Sequence, residues 1–175
     1  DALVAAAGFI NKVPEIVKEY GNEFTVATVG TIKVTPHSVN VIPGTCTFSL
    51  EIRDQSAEVM KLIENHLRQL LEDICKKYGV TSTFVPTSYH DPAPMSELVR
   101  GTIEEAVKEL GIDYTVIPSG AFHDSLIMTS VFPTGMIFVP SKDGISHSRY
   151  EYTAPEDIEN GCNVLLNTVL KLDEK

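Results

Sequence analysis

The sequence is poor in basic residues and has no long apolar run. It carries 14 lysine and arginine residues against 24 aspartate and glutamate residues, a formal net charge of −10. A nucleic-acid or anionic-membrane surface needs clustered basic side chains, so neither partner is expected. No apolar run approaches the roughly 18–20 residues of a membrane-spanning helix, and the N-terminus lacks the basic segment of a signal peptide. We therefore expect a cytoplasmic protein.

Cysteine is also scarce. Cys46, Cys75 and Cys162 are odd in number and have no Cys-x-x-Cys spacing. A cysteine-based zinc site is therefore not expected, and we expect reduced, mostly buried thiols. Hydrophobic residues make up 43% of the 175 residues and charged residues 22%, which is typical of a globular protein. This length suits one ordinary domain or two small ones.

Periodic patterns in the first half predict the order helix, strand, strand, helix, strand. Asp1 is the expected N-cap of the first helix, and Pro14 is expected to bend it or to start a second helical piece. Ser56 is the expected N-cap of the second helix and Gly79 its C-terminal stop. This order is typical of a ferredoxin-like α+β unit, an antiparallel sheet with two helices, whose first strand is missing. The predicted elements are helices 1–20 and 56–78 and strands 24–34, 38–52 and 80–89.

The second half predicts an α/β segment. The run Met136–Val139 is short and apolar and stops at Pro140, which favours a buried parallel strand. Loops at the carboxyl ends of such strands are where open α/β sheets place their ligands. The predicted elements are helices 96–110, from Asp124 onward and 155–172, and strands 114–117 and 136–139.

Two loops beside these strands each carry a histidine with a carboxylate nearby. His123 precedes Asp124, and His147 lies four residues before Glu151. A metal-bound or catalytic imidazole usually needs an acceptor for its second nitrogen, which both carboxylates could supply. A single loop histidine is more often structural, so the residues alone leave both interpretations open.

Three runs of sequence form a combined motif in the second half of the chain. They are Ser119-Gly-Ala-Phe-His-Asp124, Gly135-Met-Ile-Phe-Val-Pro-Ser141 and Gly144-Ile-Ser-His-Ser-Arg-Tyr-Glu151. In order and spacing they resemble the C-terminal signature of the zinc-dependent amidohydrolases that include N-carbamoyl-L-amino acid hydrolase, β-ureidopropionase and allantoate amidohydrolase. These belong with the aminoacylase and glutamate-carboxypeptidase-like metallo-hydrolases, and the resemblance extends over essentially the whole chain.

The resemblance implies roles for five residues. His147 matches the family's last metal ligand, and His123 matches an active-site histidine that lies near the substrate without binding metal. Asn40 and Arg53 match a lid motif that holds the substrate carboxylate and a neighbouring oxygen. Phe122 stands where the family has a glycine whose backbone contacts the substrate, which leaves the exact substrate open.

The resemblance also implies a two-part organisation. Residues 1–93 correspond to most of a lid that forms a homodimer, and residues 94–175 to the last part of an α/β zinc-exopeptidase-like catalytic domain. The family uses two divalent metal ions (zinc, manganese or cobalt), a metal-activated water and a glutamate base. His147 is the one metal ligand with a match here. We therefore expect a C-terminal piece of a longer enzyme that hydrolyses a linear C–N bond in an N-carbamoyl amino acid or allantoate, and expect the piece alone to be inactive.

Several alternatives remain open. The chain could be a dimerisation module without chemistry or a small-molecule-binding regulatory domain, because fold alone does not decide function. An aminoacylase or dipeptidase activity is a further alternative. Arg53 could also be an ordinary strand residue that forms an ion pair with Glu51 or Asp54.

Overall fold

The computed structural model describes residues 1–174, which fall into two compact units with the boundary between Pro92 and Ala93. The sequence placed the domain boundary between residues 93 and 94; the identities of the two units as lid and catalytic domain stay predictions. The first unit contains α1 (Ala2–Tyr20), β1 (Val26–Thr28), β2 (Ile32–Thr35), β3 (Thr45–Phe48), β4 (Glu51–Arg53) and α2 (Ala57–Tyr78). The second contains α3 (Glu97–Leu110), α4 (Asp124–Met128), a 3₁₀ turn (Lys142–Gly144) and α5 (Pro155–Asp173).

The two long helices of the first unit begin and end where their capping residues predicted. The Asp1 carboxylate accepts hydrogen bonds from the second and third backbone N–H groups after it, and the Ser56 hydroxyl accepts one from Val59 N. Gly79 ends α2 in the left-handed conformation, with φ at 63°. The second helical piece expected at Pro14 is wrong, because α1 runs through this proline to Tyr20 as one helix. Tertiary packing of the same stretch of α1 against α2 compensates for the hydrogen bond that proline cannot donate.

The two predicted long strands form one antiparallel hairpin that is interrupted halfway. β1 pairs with β4 and β2 with β3, and between these ladders residues 29–31 oppose residues 49–50. Three residues facing two is the geometry of a β-bulge. At this point the Ser49 hydroxyl accepts hydrogen bonds from both the N–H and the hydroxyl of Thr31, each at 3.0 Å. The second strand was also predicted to start too early, because residues 36–44 form the connecting loop.

Both helices of the first unit pack against one face of this hairpin. Their shared core consists of four side chains with exposures of at most 2%. Phe9 also contacts Phe48 of β3, with ring centroids 5.4 Å apart. Burying each such side chain stabilises the fold by about 1.5–3 kcal/mol relative to leaving it in water. The core residues are Phe9, Val13, Ile63 and Leu67.

The strand predicted at residues 80–89 is wrong: the segment pairs with none of the hairpin strands. An extended segment becomes a strand only when a neighbouring strand shares its hydrogen bonds. This segment instead contacts α2, where the Arg68 guanidinium lies 3.7 Å from the centroid of the Phe84 ring. The described part of the first unit is therefore two helices on a hairpin, which is less than the full ferredoxin-like sheet.

The second unit is built on the pairing of α3 with α5. The Ser96 hydroxyl caps α3, Gly111 ends it with φ at 66°, and Pro155 occupies the first turn of α5, all as predicted. The buried hydroxyls of Thr102 and Thr168 donate to backbone carbonyls one turn earlier. These two helices therefore bury threonine without leaving a polar atom unsatisfied.

The strands predicted at residues 114–117 and 136–139 are both wrong, since neither has a paired neighbour in the described residues. The second segment is also not buried, with Phe138 at 49% exposure. It lies beside both α3 and α5: a Cβ built on Gly135 would approach Val99 Cγ1 of α3 to 2.7 Å, and one built on Gly161 of α5 would approach Val139 Cγ1 to 2.5 Å. The apolar pattern thus located a packed segment, whereas a strand also requires partners.

The cysteines are less buried than predicted. Cys46 and Cys75 are half-buried, but Cys162 is exposed on α5, which corrects the expectation of mostly buried thiols. Across residues 1–174, no helix is both long and apolar enough to cross a membrane.

Candidate functional site

His123 is held by its neighbours in the loop before α4. The residue occupies the N-cap position of this helix in an extended conformation, and its side chain is half-buried. Its Nε2 lies 2.9 Å from the Ser119 hydroxyl, and its ring meets Phe138 edge-on with centroids 5.6 Å apart. The expected partner was Asp124. The structure gives Ser119 instead, so a hydroxyl, which can donate or accept, orients this imidazole.

The loop of His123 also contacts the segment that was predicted to be a buried strand. The Ser125 hydroxyl lies 2.8 Å from Met136 Sδ, which ties the start of α4 to this segment. Phe122 directly precedes the histidine, and its side chain is 54% exposed. An aromatic surface therefore stands beside His123 at the position where the resembled family has glycine.

His147 lies on a loop that is held through the backbone of this residue and not through its side chain. Its backbone has φ at 54°, a left-handed conformation that few residues other than glycine adopt. Its N–H donates a hydrogen bond of 2.8 Å to Glu151 Oε2, and its side chain is exposed. Such a conformation costs about 1–3 kcal/mol and persists only where its surroundings enforce it. Glu151 was expected beside the imidazole, but it supports the backbone of the loop.

These residues do not complete a metal site. Throughout residues 1–174, no group of three or more histidine, cysteine, aspartate or glutamate side chains lies close enough to hold a metal ion. Zinc sites in proteins use three or four such ligands. His147 can supply one of them, and no metal-dependent step follows from the described residues alone.

The two residues of the predicted lid motif lie on the hairpin of the first unit. Asn40 is exposed in the loop between β2 and β3, and its Oδ1 accepts a hydrogen bond of 2.8 Å from the Ser38 hydroxyl. Arg53 ends β4, and its Nη2 lies 2.8 Å from Glu51 Oε1. The ion pair with Glu51 was the alternative interpretation of Arg53. Exposed pairs of this kind contribute less than about 1 kcal/mol to stability.

Asn40 and Arg53 lie at opposite ends of this unit. The loop of Asn40 is fixed to the start of α1, where Ala2 N donates to Pro43 O at 3.1 Å. The residue after Arg53 is fixed just beyond the end of α1, where Asn22 Nδ2 donates to Asp54 Oδ1 at 3.3 Å. α1 has 19 residues, and a helix of that length spans about 28 Å. One small substrate therefore cannot touch both side chains of the same chain.

Sequence reasoning missed two residues that organise these sites. Ser119 was read only as the first letter of a motif, although its hydroxyl is the partner of His123. Asp54 was considered only as an ion-pair partner for Arg53, yet its carboxylate accepts hydrogen bonds from the Thr25 hydroxyl and from Ser56 N. An Asp-x-Ser sequence just before a helix is a signal for such a turn.

Comparison with known proteins decides the family. The model of peptidase family M20/M25/M40 matches residues 6–171. This chain belongs to that family. An N-carbamoyl-L-amino acid amidohydrolase of Geobacillus stearothermophilus is 38% identical over 98% of this M20 chain and 42% of its own length. A ureidoglycolate hydrolase of Oryza sativa is 35% identical over 98% of this chain and 36% of its own. The M20 chain thus spans about two fifths of the length of these relatives.

Solved structures give the same result for the fold of the M20 chain. The crystal structure of AtUAH in complex with (S)-hydroxyglycine matches with a TM-score of 0.90 and 34% identity, over 98% of this chain and 41% of that one. A hydantoinase/carbamoylase family amidase from Burkholderia vietnamiensis matches with a TM-score of 0.89 and 33% identity, again over 98% and 41%. The resemblance to the amidohydrolases is therefore confirmed. M20 enzymes are generally dinuclear metal-dependent hydrolases.

Proposed function

We propose that this chain is part of a longer amidohydrolase that hydrolyses a linear C–N bond in an N-carbamoyl amino acid or allantoate. The observation that carries the proposal is the 38% identity to an N-carbamoyl-L-amino acid amidohydrolase across 98% of the chain. An allantoate amidohydrolase of Bacillus subtilis is 32% identical over the same share. In this proposal residues 1–93 belong to the lid and residues 94–175 to the catalytic domain. The cytoplasmic location stays a prediction.

His123 serves the substrate in this proposal. Its imidazole is half-buried and held by Ser119 and Phe138, so its orientation is set before a substrate arrives. A ring fixed in this way can orient the scissile group or stabilise an oxyanion as it develops. Phe122 next to it would bound the pocket for the rest of the substrate.

His147 serves the metal centre. Its side chain is exposed on a loop that Glu151 fixes through the backbone, so the imidazole is available to an ion. Neutral imidazole binds zinc, manganese and cobalt, which are the metals that the family resemblance implies. The remaining ligands and the general base would come from parts of the protein beyond residues 1–175.

Asn40 and Arg53 serve substrate binding in a homodimer. An arginine fork suits a carboxylate, and the amide of asparagine suits a carbonyl oxygen. Because the two residues lie at opposite ends of the first unit, we assign them to two different substrate molecules. Each active site of the dimer would then use Arg53 of one protomer and Asn40 of the other.

A ureidoglycolate hydrolase activity is the second candidate. The rice relative at 35% identity carries that name, and the AtUAH structure at TM-score 0.90 contains (S)-hydroxyglycine. Ureidoglycolate is smaller than most N-carbamoyl amino acids. If Phe122 bounds the substrate pocket, the relative rates on ureidoglycolate and on larger N-carbamoyl amino acids distinguish the two activities.

A substrate panel tests the proposal. The full-length protein, loaded with zinc, manganese or cobalt, is assayed for hydrolysis of N-carbamoyl-L-amino acids, allantoate and ureidoglycolate. We expect turnover of at least one substrate, its loss in His147→Ala, and no turnover by residues 1–175 alone. Absence of turnover by the metal-loaded full-length protein on the whole panel contradicts the proposal. Turnover by residues 1–175 alone contradicts the assignment of the missing ligands to the rest of the protein.

A further inference from the structure

We propose that Asp54 is a positioning residue for Arg53, holding the end of β4 so that the guanidinium is presented to the substrate carboxylate. This inference rests on the proposed role of Arg53 in substrate binding. It concerns a side chain to which neither the family resemblance nor the comparisons assign a role.

The Asp54 carboxylate joins three parts of the first unit. Its Oδ1 accepts hydrogen bonds from Ser56 N at 2.8 Å and from Asn22 Nδ2 at 3.3 Å, and its Oδ2 accepts one from the Thr25 hydroxyl. Ser56 is the N-cap of α2, Asn22 follows α1, and Thr25 precedes β1. One half-buried carboxylate therefore fixes the end of β4 relative to both helices and the opposite strand.

These bonds directly flank the residue that they are proposed to position. Arg53 pairs with Val26 at the last step of the ladder between β1 and β4, and the next residues along both strands are Asp54 and Thr25. The side-chain bond between Asp54 and Thr25 thus continues the ladder one step beyond its last backbone pair. Because successive side chains of a strand point to opposite faces, fixing residue 54 sets the face to which residue 53 points.

The surroundings of the Asp54 bonds leave little freedom. Thr25 is 8% exposed, and its hydroxyl also accepts a hydrogen bond of 2.8 Å from Asn22 N. A Cβ built on Gly21 would lie 2.7 Å from the Thr25 hydroxyl and 2.6 Å from Val17 O, so the chain leaving α1 passes as close as glycine allows. In contrast, the Arg53 guanidinium meets Glu51 in an exposed ion pair. The backbone of Arg53 is therefore held by the ladder and by the bonds of Asp54, whereas its guanidinium pairs with an exposed side chain.

Removing the carboxylate should change substrate affinity through Arg53. In Asp54→Ala the strand end loses its side-chain bonds, so the guanidinium samples several positions. A guanidinium that is not held in place forms the two charge-assisted bonds to a carboxylate less often. We expect KM for a carboxylate substrate to rise about tenfold or more and kcat to change much less. Asp54→Asn keeps the shape and the Oδ1 acceptor and should restore most of the affinity.

A double-mutant cycle in the full-length enzyme tests this inference. Asp54→Ala, Arg53→Ala and the double variant are compared by KM, kcat and melting temperature, with Asp73→Ala as an exposed carboxylate control. If Asp54 acts through Arg53, then Asp54→Ala has no further effect on KM once Arg53 is gone. Additive effects on KM, or an unchanged KM in Asp54→Ala, overturn the inference. An unchanged KM in Arg53→Ala instead refutes the proposed role of Arg53.

A milder change covers the case in which Asp54→Ala does not fold. Thr25→Val removes only the hydroxyl that Asp54 accepts from and keeps the buried shape of the side chain. The same cycle with Arg53→Ala should again show a raised KM that disappears in the double variant. If Thr25→Val leaves KM unchanged, or if it does not fold either, the two residues serve only the fold and the inference is wrong.

Discussion

At the scale of single residues, the two histidines differ in their surroundings more than in their sequences. His123 is half-buried, with Ser119 at its ring nitrogen and Phe138 in an edge-on contact with its ring. His147 is exposed on a loop whose left-handed backbone is fixed by Glu151. A ring with a fixed protein partner suits orientation of a substrate, whereas an exposed ring on a rigid loop suits coordination of an ion.

This difference predicts distinct effects of removing each imidazole from the full-length enzyme. His147→Ala should lower both bound metal and activity, because a ligand is lost. His123→Ala should keep the metal and lose turnover about a hundredfold, as expected for a lost orienting or oxyanion contact. Atomic emission on the purified variants gives the metal content, with Ser119→Ala as a milder control. Equal metal loss in both variants would show that the roles are assigned wrongly.

At the scale of elements, the helices and the strands of the hairpin were predictable, whereas the strands expected outside the hairpin were not. α1, α2, α3 and α5 begin and end at residues whose caps and periodicity are local in sequence. The strands predicted at 80–89, 114–117 and 136–139 depended on partners that the described residues do not supply. The candidate site residues show the same contrast between local and distant contacts. The histidine loops could be located from sequence, but the bonds of Asp54 to Asn22 and Thr25 form only after distant segments pack.

The Arg68 side chain contacts both Phe84 in the segment 80–89 and Glu64 on α2, so its removal should affect stability in two ways. Burial raises the pKa of Glu64, but hydrogen bonds from Arg68 and Lys61 outweigh it, so the pKa lies below its usual value. A carboxyl whose pKa is lowered on folding stabilises the fold at pH values above its pKa in the unfolded state, which is near 4.3 for glutamate. This stabilisation is lost as the pH falls through the pKa of the folded state. Arg68→Ala should therefore lower the free energy of unfolding by about 1 kcal/mol at pH 7.

Denaturant unfolding measured from pH 7 down to pH 3 checks this prediction. Because the variant loses one of the groups that lower the Glu64 pKa, its stability should fall less steeply below pH 5 than that of the parent. Lys76→Ala, which removes an exposed ion pair of 3.7 Å elsewhere on α2, is the control. Parallel pH profiles for Arg68→Ala and the parent would argue against the contact between Arg68 and Glu64.

Two glycines inside helices predict opposite effects of the same substitution. A Cβ built on Gly101 in α3 would have no atom within 4 Å, whereas a Cβ built on Gly161 in α5 would lie 2.5 Å from Val139 Cγ1. Gly101→Ala should raise the free energy of unfolding by about 0.5–1 kcal/mol through helix propensity. Gly161→Ala should lower it by about 1–3 kcal/mol through overpacking. Thermal unfolding of both variants is the measurement, and stabilisation by both would mean that α5 does not approach residues 136–139 this closely.

At the scale of the whole molecule, the described residues hold candidate site residues but no complete metal site. The chain spans about two fifths of the length of its M20 relatives, and its described residues contain no full set of metal ligands. Asn40 and Arg53 lie at opposite ends of a helix about 28 Å long. These facts support the proposed enzyme, in which the remaining metal ligands would come from the rest of the protein and one substrate-binding residue from a second protomer.

Complementation between two inactive variants tests this arrangement most directly. Asn40→Ala and Arg53→Ala are each made in the full-length enzyme, unfolded or dissociated together, reassembled, and assayed for hydrolysis of the best substrate. If each active site uses Arg53 of one protomer and Asn40 of the other, a hybrid dimer contains one intact site. Random mixing then restores about a quarter of the parent activity, since half of the dimers are hybrids. No recovery above the separate variants, with hybrid dimers present, would contradict the two-protomer site.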